Sequence, residues 1–306
     1  MKKTSRQLNN FELVEHFLEN ALGYDIYDDQ KYEIVGDIVS TELNIENFDE
    51  SLISLNSKSY RVEKYRKDGA RRKLQNQIVN ELFSNIRLEK DEDICLGKGG
   101  AFPNTGIEMN KNAYVVIGLP ASGKSGICSE IADKLNAVIL DSDYAKRKLP
   151  EFNKIPFGAS LVHEESDRII FGDKDFSDSL FDYCVKLGAN IVIPRIGSNV
   201  NSILNIIELL ENVEYKIHLT LVELDRVKAT QRALQRFKDT KRYVPLGLIF
   251  DTYSNNPSLS FYRIITFHKD SLESYGIINN DVERGSPPKC ELKNSDLNPS
   301  KIYDNE

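Results

Sequence analysis

The stretch "NAYVVIGLPASGKSGICSEIADKL", residues 112–135, decides the fold. Its first part, "AYVVI", is apolar and β-branched and predicts a strand. The strand ends at a glycine, and "GLPASGKS" matches G-x-x-x-x-G-K-[ST] at Gly118, Gly123, Lys124 and Ser125. Each position has a physical task. The glycines let the backbone of Gly118, Ala121, Ser122 and Gly123 turn, so that successive N–H groups face inward and cradle phosphate oxygens. Lys124 reaches the β- and γ-phosphates of a nucleotide, and the Ser125 hydroxyl is a ligand for Mg²⁺. The helix that opens here carries Ile127, Ile131 and Leu135 on one face and turns its positive dipole end to the anion. A plain glycine turn would not account for the Lys-Ser pair that follows it.

Outward from this loop, short apolar runs alternate with helical stretches. Strands are predicted at Ala113–Ile117, Ala137–Leu140, Asn190–Ile193, Tyr215–Val222 and Phe261–Phe267. Helices are predicted near 124–135, 160–171, 175–187, 200–211 and 225–238. Such alternation implies an α/β fold, with a parallel five-stranded sheet flanked by helices over residues 112–270. Residues 1–95 read as a helical N-terminal extension with helices at 11–24, 30–43 and 59–86, the last weakened in the middle by Gly69. The glycine-rich stretch 96–111 reads as a linker, and residues 271–306 as a poorly ordered, polar tail.

Composition narrows the function. With 40 Lys+Arg against 47 Asp+Glu, the chain gives no reason to expect a nucleic-acid partner. Cys95, Cys128, Cys184 and Cys290 have no metal-ligand spacing and read as reduced thiols, which points to the cytoplasm. "MKKTSRQLNN" has no apolar run after its lysines, so no signal peptide is expected. No segment is apolar for long enough to span a membrane. Translocation as an effector by a signal not legible here stays open.

The second strand ends in "LDSDYAKRKLPEF". Asp141 and Asp143 therefore sit at a carboxyl end, where α/β sheets bind ligands. Asp143 is the candidate general base for an attacking hydroxyl. Asp141 either binds on the substrate side, caps the next helix or orients Ser125. Arg195 closes the third strand, "NIVIPRIGSN", where a cation can meet a substrate phosphate. In "DRVKATQRALQRFKDTKRYVP", Lys228, Arg232 and Arg236 share one helix face and Arg242 follows. Guanidinium groups suit the charge that spreads over a transferred phosphate.

"GLPASGKS" followed by an Asp-x-Asp strand end resembles the zeta-toxin kinases of bacterial toxin–antitoxin systems. "LDSDYAKRKLPEF…GASLVHEESDRI" is similar to a branch that includes an effector acting as an NAD kinase. The likeness spans roughly residues 95–250. It implies a P-loop kinase fold and transfer of the ATP γ-phosphate to a sugar hydroxyl of a nucleotide metabolite. The family acceptors are UDP-N-acetylglucosamine and, in the effector branch, the adenosine ribose of NAD. The resemblance puts Lys124 and Ser125 on ATP and Mg²⁺ and makes Asp143 the base. It sets Glu164 or Glu165 against substrate, and Arg232 and Arg242 against ATP, with Arg236 as rival. It also implies a cognate antitoxin or chaperone. The third strand lacks the glutamate that the amino-sugar kinases carry, which favours NAD. The rival functions are a P-loop NTPase or polynucleotide kinase, and a non-catalytic nucleotide-binding module.

Overall fold

In a computed structural model of the chain, residues 6–25, 29–47, 53–153, 158–283 and 285–304 are described. Three helices lead: α1 (Phe11–Asn20), α2 (Asp29–Glu46) and α3 (Asp68–Ser84). The α/β region then runs β1 (Asn112–Ile117), α4 (Lys124–Lys134), β2 (Val138–Ile139), α5 (Ser142–Lys148), α6 (Gly158–Leu161), α7 (His163–Phe171) and α8 (Leu180–Leu187). It continues through β3 (Ile191–Arg195), α9 (Val200–Asn212), β4 (Lys216–Glu223), α10 (Arg226–Thr240), α11 (Asn256–Phe267), β5 (Ser274–Asn279) and β6 (Lys289–Lys293).

The strands form one six-stranded sheet in the order β2-β3-β1-β4-β5-β6, parallel except for β6 against β5. In β1 every residue after Asn112 is buried, as a parallel strand covered on both faces requires. Val115 pairs with Ile193 of β3 and Leu219 of β4. The chain leaves β1 for the far side of β3 and later crosses β1 to reach β4. That reversal opens a crevice at the carboxyl ends of β1, β3 and β4, where ligands of such sheets bind.

Two expectations need correction. Phe261–Phe267, read as the fifth strand, lies in α11. Pro257 opens that helix, and Phe261 and Ile264 face the core at helical spacing. The fifth strand is instead "SYGIIN" at Ser274–Asn279, inside the segment read as a disordered tail. That segment is ordered because it is tied down. Asn298 Nδ2 donates to Leu219 O at 3.1 Å, and Tyr303 OH donates to Glu130 at 2.7 Å. Gly276 allows the return: a Cβ there would lie 2.3 Å from Ser300 Oγ and 2.4 Å from Asn298 Oδ1.

The N-terminal region packs on the sheet region in two places. Leu74, Ile78, Val79 and Leu82 of α3 join the core of the sheet. Val14, Phe17 and Leu18 of α1 and Ile34, Val35 and Ile38 of α2 pack with Ala233, Leu234 and Phe237 of α10. The helix predicted at 59–86 begins only at Asp68, so Gly69 lies in its first turn. The glycine-rich stretch is packed as well. Ala101 N–H donates to Leu82 O at 2.7 Å, and Ile139 N–H donates to Ala101 O at 3.2 Å. A Cβ on Gly100 would meet Asn85 O at 2.0 Å.

Candidate active site

The loop between β1 and α4 is built on positive φ angles: 61° at Ala121 and 89° at Gly123. A non-glycine residue in that region is strained, so the surrounding structure must hold Ala121 there. Gly118 is needed for close approach, since a Cβ would meet Val222 O of β4 at 2.5 Å. Ser122 is buried, and among the described residues its Oγ has no hydrogen-bond partner. Helix α4 starts at Gly123 without a side-chain cap, so its first N–H groups are left for a ligand. Lys124 Nζ donates to Gly118 O at 2.6 Å and Leu119 O at 2.5 Å. Burial lowers its pKa to about 8, against the pull of Asp141 and Asp143. Ser125 is exposed in the first turn.

Asn280, unremarked in the sequence, braces this loop from the end of β5. Its Nδ2 donates to Ser122 O at 2.7 Å and fills the space a Gly123 Cβ would need. Arg232 donates in turn to Asn280 O at 3.1 Å, and Lys228 pairs with Asp281. Arg232 thus stands on the β5 side of the loop.

Across the crevice, Asp141 caps α5, accepting the Asp143 N–H at 2.9 Å. Burial, then the adjacent Asp143 charge, pushes the Asp141 carboxyl up to about 6. Because the helix begins at Ser142, the two carboxylates take different partners: Asp141 the N-terminus of α5, Asp143 the cations that follow. Asp143 accepts from Lys146 at 2.8 Å and from Arg242 at 2.6 Å. Burial works to raise its pKa, but these two cations hold it well below the usual carboxylate range. Arg242 also approaches Glu92 at 3.5 Å, and Arg147 approaches the same oxygen at 3.7 Å. Arg236 stands with this group. Burial and the Arg242 charge lower its pKa, and its buried Nε has no hydrogen-bond partner. Of the two rivals on α10, Arg236 therefore faces Asp143 and Arg232 faces β5.

A cavity of about 290 Å³ adjoins, lined by Glu164, Asp167, Arg168, Phe171, Asp173 and Arg195. It connects to the Asp pair through Ser142, whose hydroxyl bonds Asp167. Arg195 stacks over Phe171 at 4.2 Å, burial lowers its pKa, and its buried Nε has no partner. The structure separates the two glutamates. Glu164 lines the cavity. Glu165 is fully buried and turned away, accepting from Arg71, Gln75 and Ser54. Arg71 also pairs with the buried Glu151. Arg168, four residues after Glu164 on the same helix, bonds Asp173 at 2.6 Å rather than that glutamate.

The zeta-toxin family model matches residues 105–259, just over half of the chain. The chain belongs to the zeta-toxin family. This zeta-toxin chain has the P-loop kinase fold, and the family match extends over the loop, the Asp pair, Arg195 and the arginine segment. A search of curated proteins finds no match to it. Among solved structures it is similar to one from the PezAT toxin–antitoxin system of Streptococcus pneumoniae. That likeness has 18% identity and a TM-score of 0.46, covering 64% of this chain and 77% of that chain. It is also similar to the AvrRxo1-ORF1:ORF2 complex at 16% identity and a TM-score of 0.45, covering 78% of this chain and 69% of that one. The same complex with ATP gives 16% and 0.43, covering 75% of this chain and 64% of that one. Glu92, Arg71 and Asn280 lie outside the residues that the family model matches. Among the described residues no helix is long and apolar enough to cross a membrane.

Proposed function

We propose that this zeta-toxin kinase transfers the ATP γ-phosphate to a sugar hydroxyl of a nucleotide metabolite, with the adenosine ribose of NAD favoured. One observation carries the reading: Asp143 lies between Lys146 and Arg242, within electrostatic reach of the phosphate-loop lysine, and the adjacent Ser142 bonds Asp167 of the Arg195 cavity. Gly118, Ala121, Ser122, Gly123 and Lys124 hold the phosphates. Arg236 and Arg242 neutralise charge on the transferred group, while Arg232 braces the loop through Asn280. The acceptor oxygen attacks the γ-phosphorus, Asp143 takes the hydroxyl proton, the bond to the bridging oxygen breaks and ADP leaves.

Ionised Asp143 is an acceptor at any working pH. Its basicity rises when the phosphates draw Arg242 away from it. Mg²⁺ suits the exposed Ser125 hydroxyl and the partly buried Asp141, which among the described residues has no cation within salt-bridge distance. When bound with ATP it would offset charge on the phosphates.

In the acceptor cavity, Arg195 suits a pyrophosphate, and Glu164 and Asp167 suit ribose hydroxyls. UDP-N-acetylglucosamine offers the same groups. NAD is favoured by the "LDSDYAKRKLPEF…GASLVHEES" likeness and by the missing third-strand glutamate. A site built for one set of hydroxyls can reject another by about 10⁴-fold. Toxin–antitoxin and two-protein complexes among the similar structures support a cognate protein partner.

The acceptor is tested with labelled ATP and either NAD or UDP-N-acetylglucosamine at matched concentration, with Lys124→Ala as blank. Label on NAD is expected. Label on UDP-N-acetylglucosamine alone would overturn the NAD assignment.

A further inference from the structure

Arg147 has no part in the chemistry described so far. Its side chain is only 8% exposed, yet among the described residues it has no hydrogen-bond partner at Nε or Nη2. The nearest anion, Glu92, is half exposed and lies 3.7 Å away, beyond hydrogen-bond range. Phe152 lies under the guanidinium at 5.8 Å. A buried cation so poorly matched is costly, and burial, then the Arg242 charge, lowers its pKa. The cost is concentrated at one place. Arg147 and Arg242 converge on the same Glu92 oxygen, and Arg236 adds a second buried Nε without a partner. Glu92, Asp143 and Asp91 all lie within electrostatic reach of Arg147, but Asp143 is already bonded to Lys146 and Arg242, and none of the three gives Arg147 a hydrogen bond. What is missing is acceptor oxygens for the donors of Arg147 and Arg236, and a phosphoryl group supplies them.

We infer that Arg147 is a third guanidinium at the transfer site and donates to the γ-phosphate of bound ATP. The inference rests on the kinase reading above. ADP lacks that phosphate, so the contact discriminates between the two nucleotides. A residue that only anchors α5 would not. Its loss would lower stability and leave nucleotide preference unchanged.

The test is calorimetric titration of Mg·ATP and Mg·ADP into the wild-type, Arg147→Gln, Arg147→Lys and Lys124→Ala proteins, with a thermal melt of each. Arg147→Gln is expected to lose about tenfold to a hundredfold in ATP affinity, the range of one or two charge-assisted hydrogen bonds. Its ADP affinity should hold and its melting temperature should not fall. Arg147→Lys keeps the charge without the fork and should lie between. An unchanged ratio of ATP to ADP affinity in both Arg147 variants, or equal losses for both nucleotides, would overturn the assignment. If Lys124→Ala binds both nucleotides as well as wild type, the nucleotide reading of the loop itself fails, whatever Arg147 does.

Discussion

Arg242 donates to Asp143 at 2.6 Å across 99 residues of sequence, and so joins the end of the arginine segment to the end of the second strand. Lys146 holds the other carboxylate oxygen at 2.8 Å. The candidate base is thus held ionised and positioned from two sides.

Asp143→Asn should lower kcat by about 10²-fold or more while Mg·ATP affinity stays the same or tightens, since Lys146 and Arg242 are freed for the phosphates. Steady-state kinetics and nucleotide titration separate the two effects. The folded-state pKa of Asp143 is depressed, so its stabilisation is present above the ordinary carboxylate value. It is lost as pH falls below that value.

Asp141 titrates in the opposite sense. Its folded-state value is raised to about 6, so the fold binds the proton more tightly than the unfolded chain does. Stability from this group falls as pH rises from about 4 to about 6. Asp141→Asn keeps the cap acceptor and removes the charge. It should gain about 1–2 kcal/mol at pH 7.5 and nothing at pH 4. Thermal melts at the two pH values check this. A loss at pH 7.5 would mean that the ionised cap is needed.

The two glutamates of α7 should respond differently. Glu165 belongs to the buried network with Arg71, which is 2% exposed against 0% for the glutamate. Arg71→Ala or Glu165→Gln leaves buried charge uncompensated and should cost about 3–5 kcal/mol in denaturant unfolding. Glu164→Gln should cost less than about 0.5 kcal/mol and instead raise KM for the acceptor. Stability loss at Glu164 alone would reverse their roles.

One substitution should have opposite signs at two glycines. Gly276→Ala places a Cβ 2.3 Å from Ser300 Oγ and should destabilise by about 1–3 kcal/mol. Gly69 in the first turn of α3 has nothing within 4 Å, and Gly69→Ala should stabilise by about 0.4–1 kcal/mol. Chemical denaturation of both reports whether the C-terminal segment is integral to the sheet.

The phosphate loop and the Asp pair were legible in the sequence because their information is local: a strand, a glycine turn, a lysine, and a strand end that becomes a helix. The fifth strand was not. "SFYRIITF" is rich in strand-forming residues, but its burial follows helical spacing behind Pro257. "SYGIIN" is short and interrupted by a glycine whose use appears only when Asn298 and Ser300 fold back over it. Misplacing that strand hid Asn280 at its end. Arg147 stood in plain view within "LDSDYAKRKLPEF". Only the tertiary structure, which buries it near Glu92 and Arg242, separates it from a solvated lysine-rich turn.

The most direct test of the kinase account needs no assumption about the acceptor. Purified protein is incubated with ATP and a metabolite extract, and mass spectrometry follows which metabolites gain one phosphate, with folded Lys124→Ala alongside. The account predicts ATP-dependent gain on a nucleotide metabolite with wild type and none with the variant. Gain of equal size with the folded variant, or no ATP-dependent gain with wild type, would contradict it.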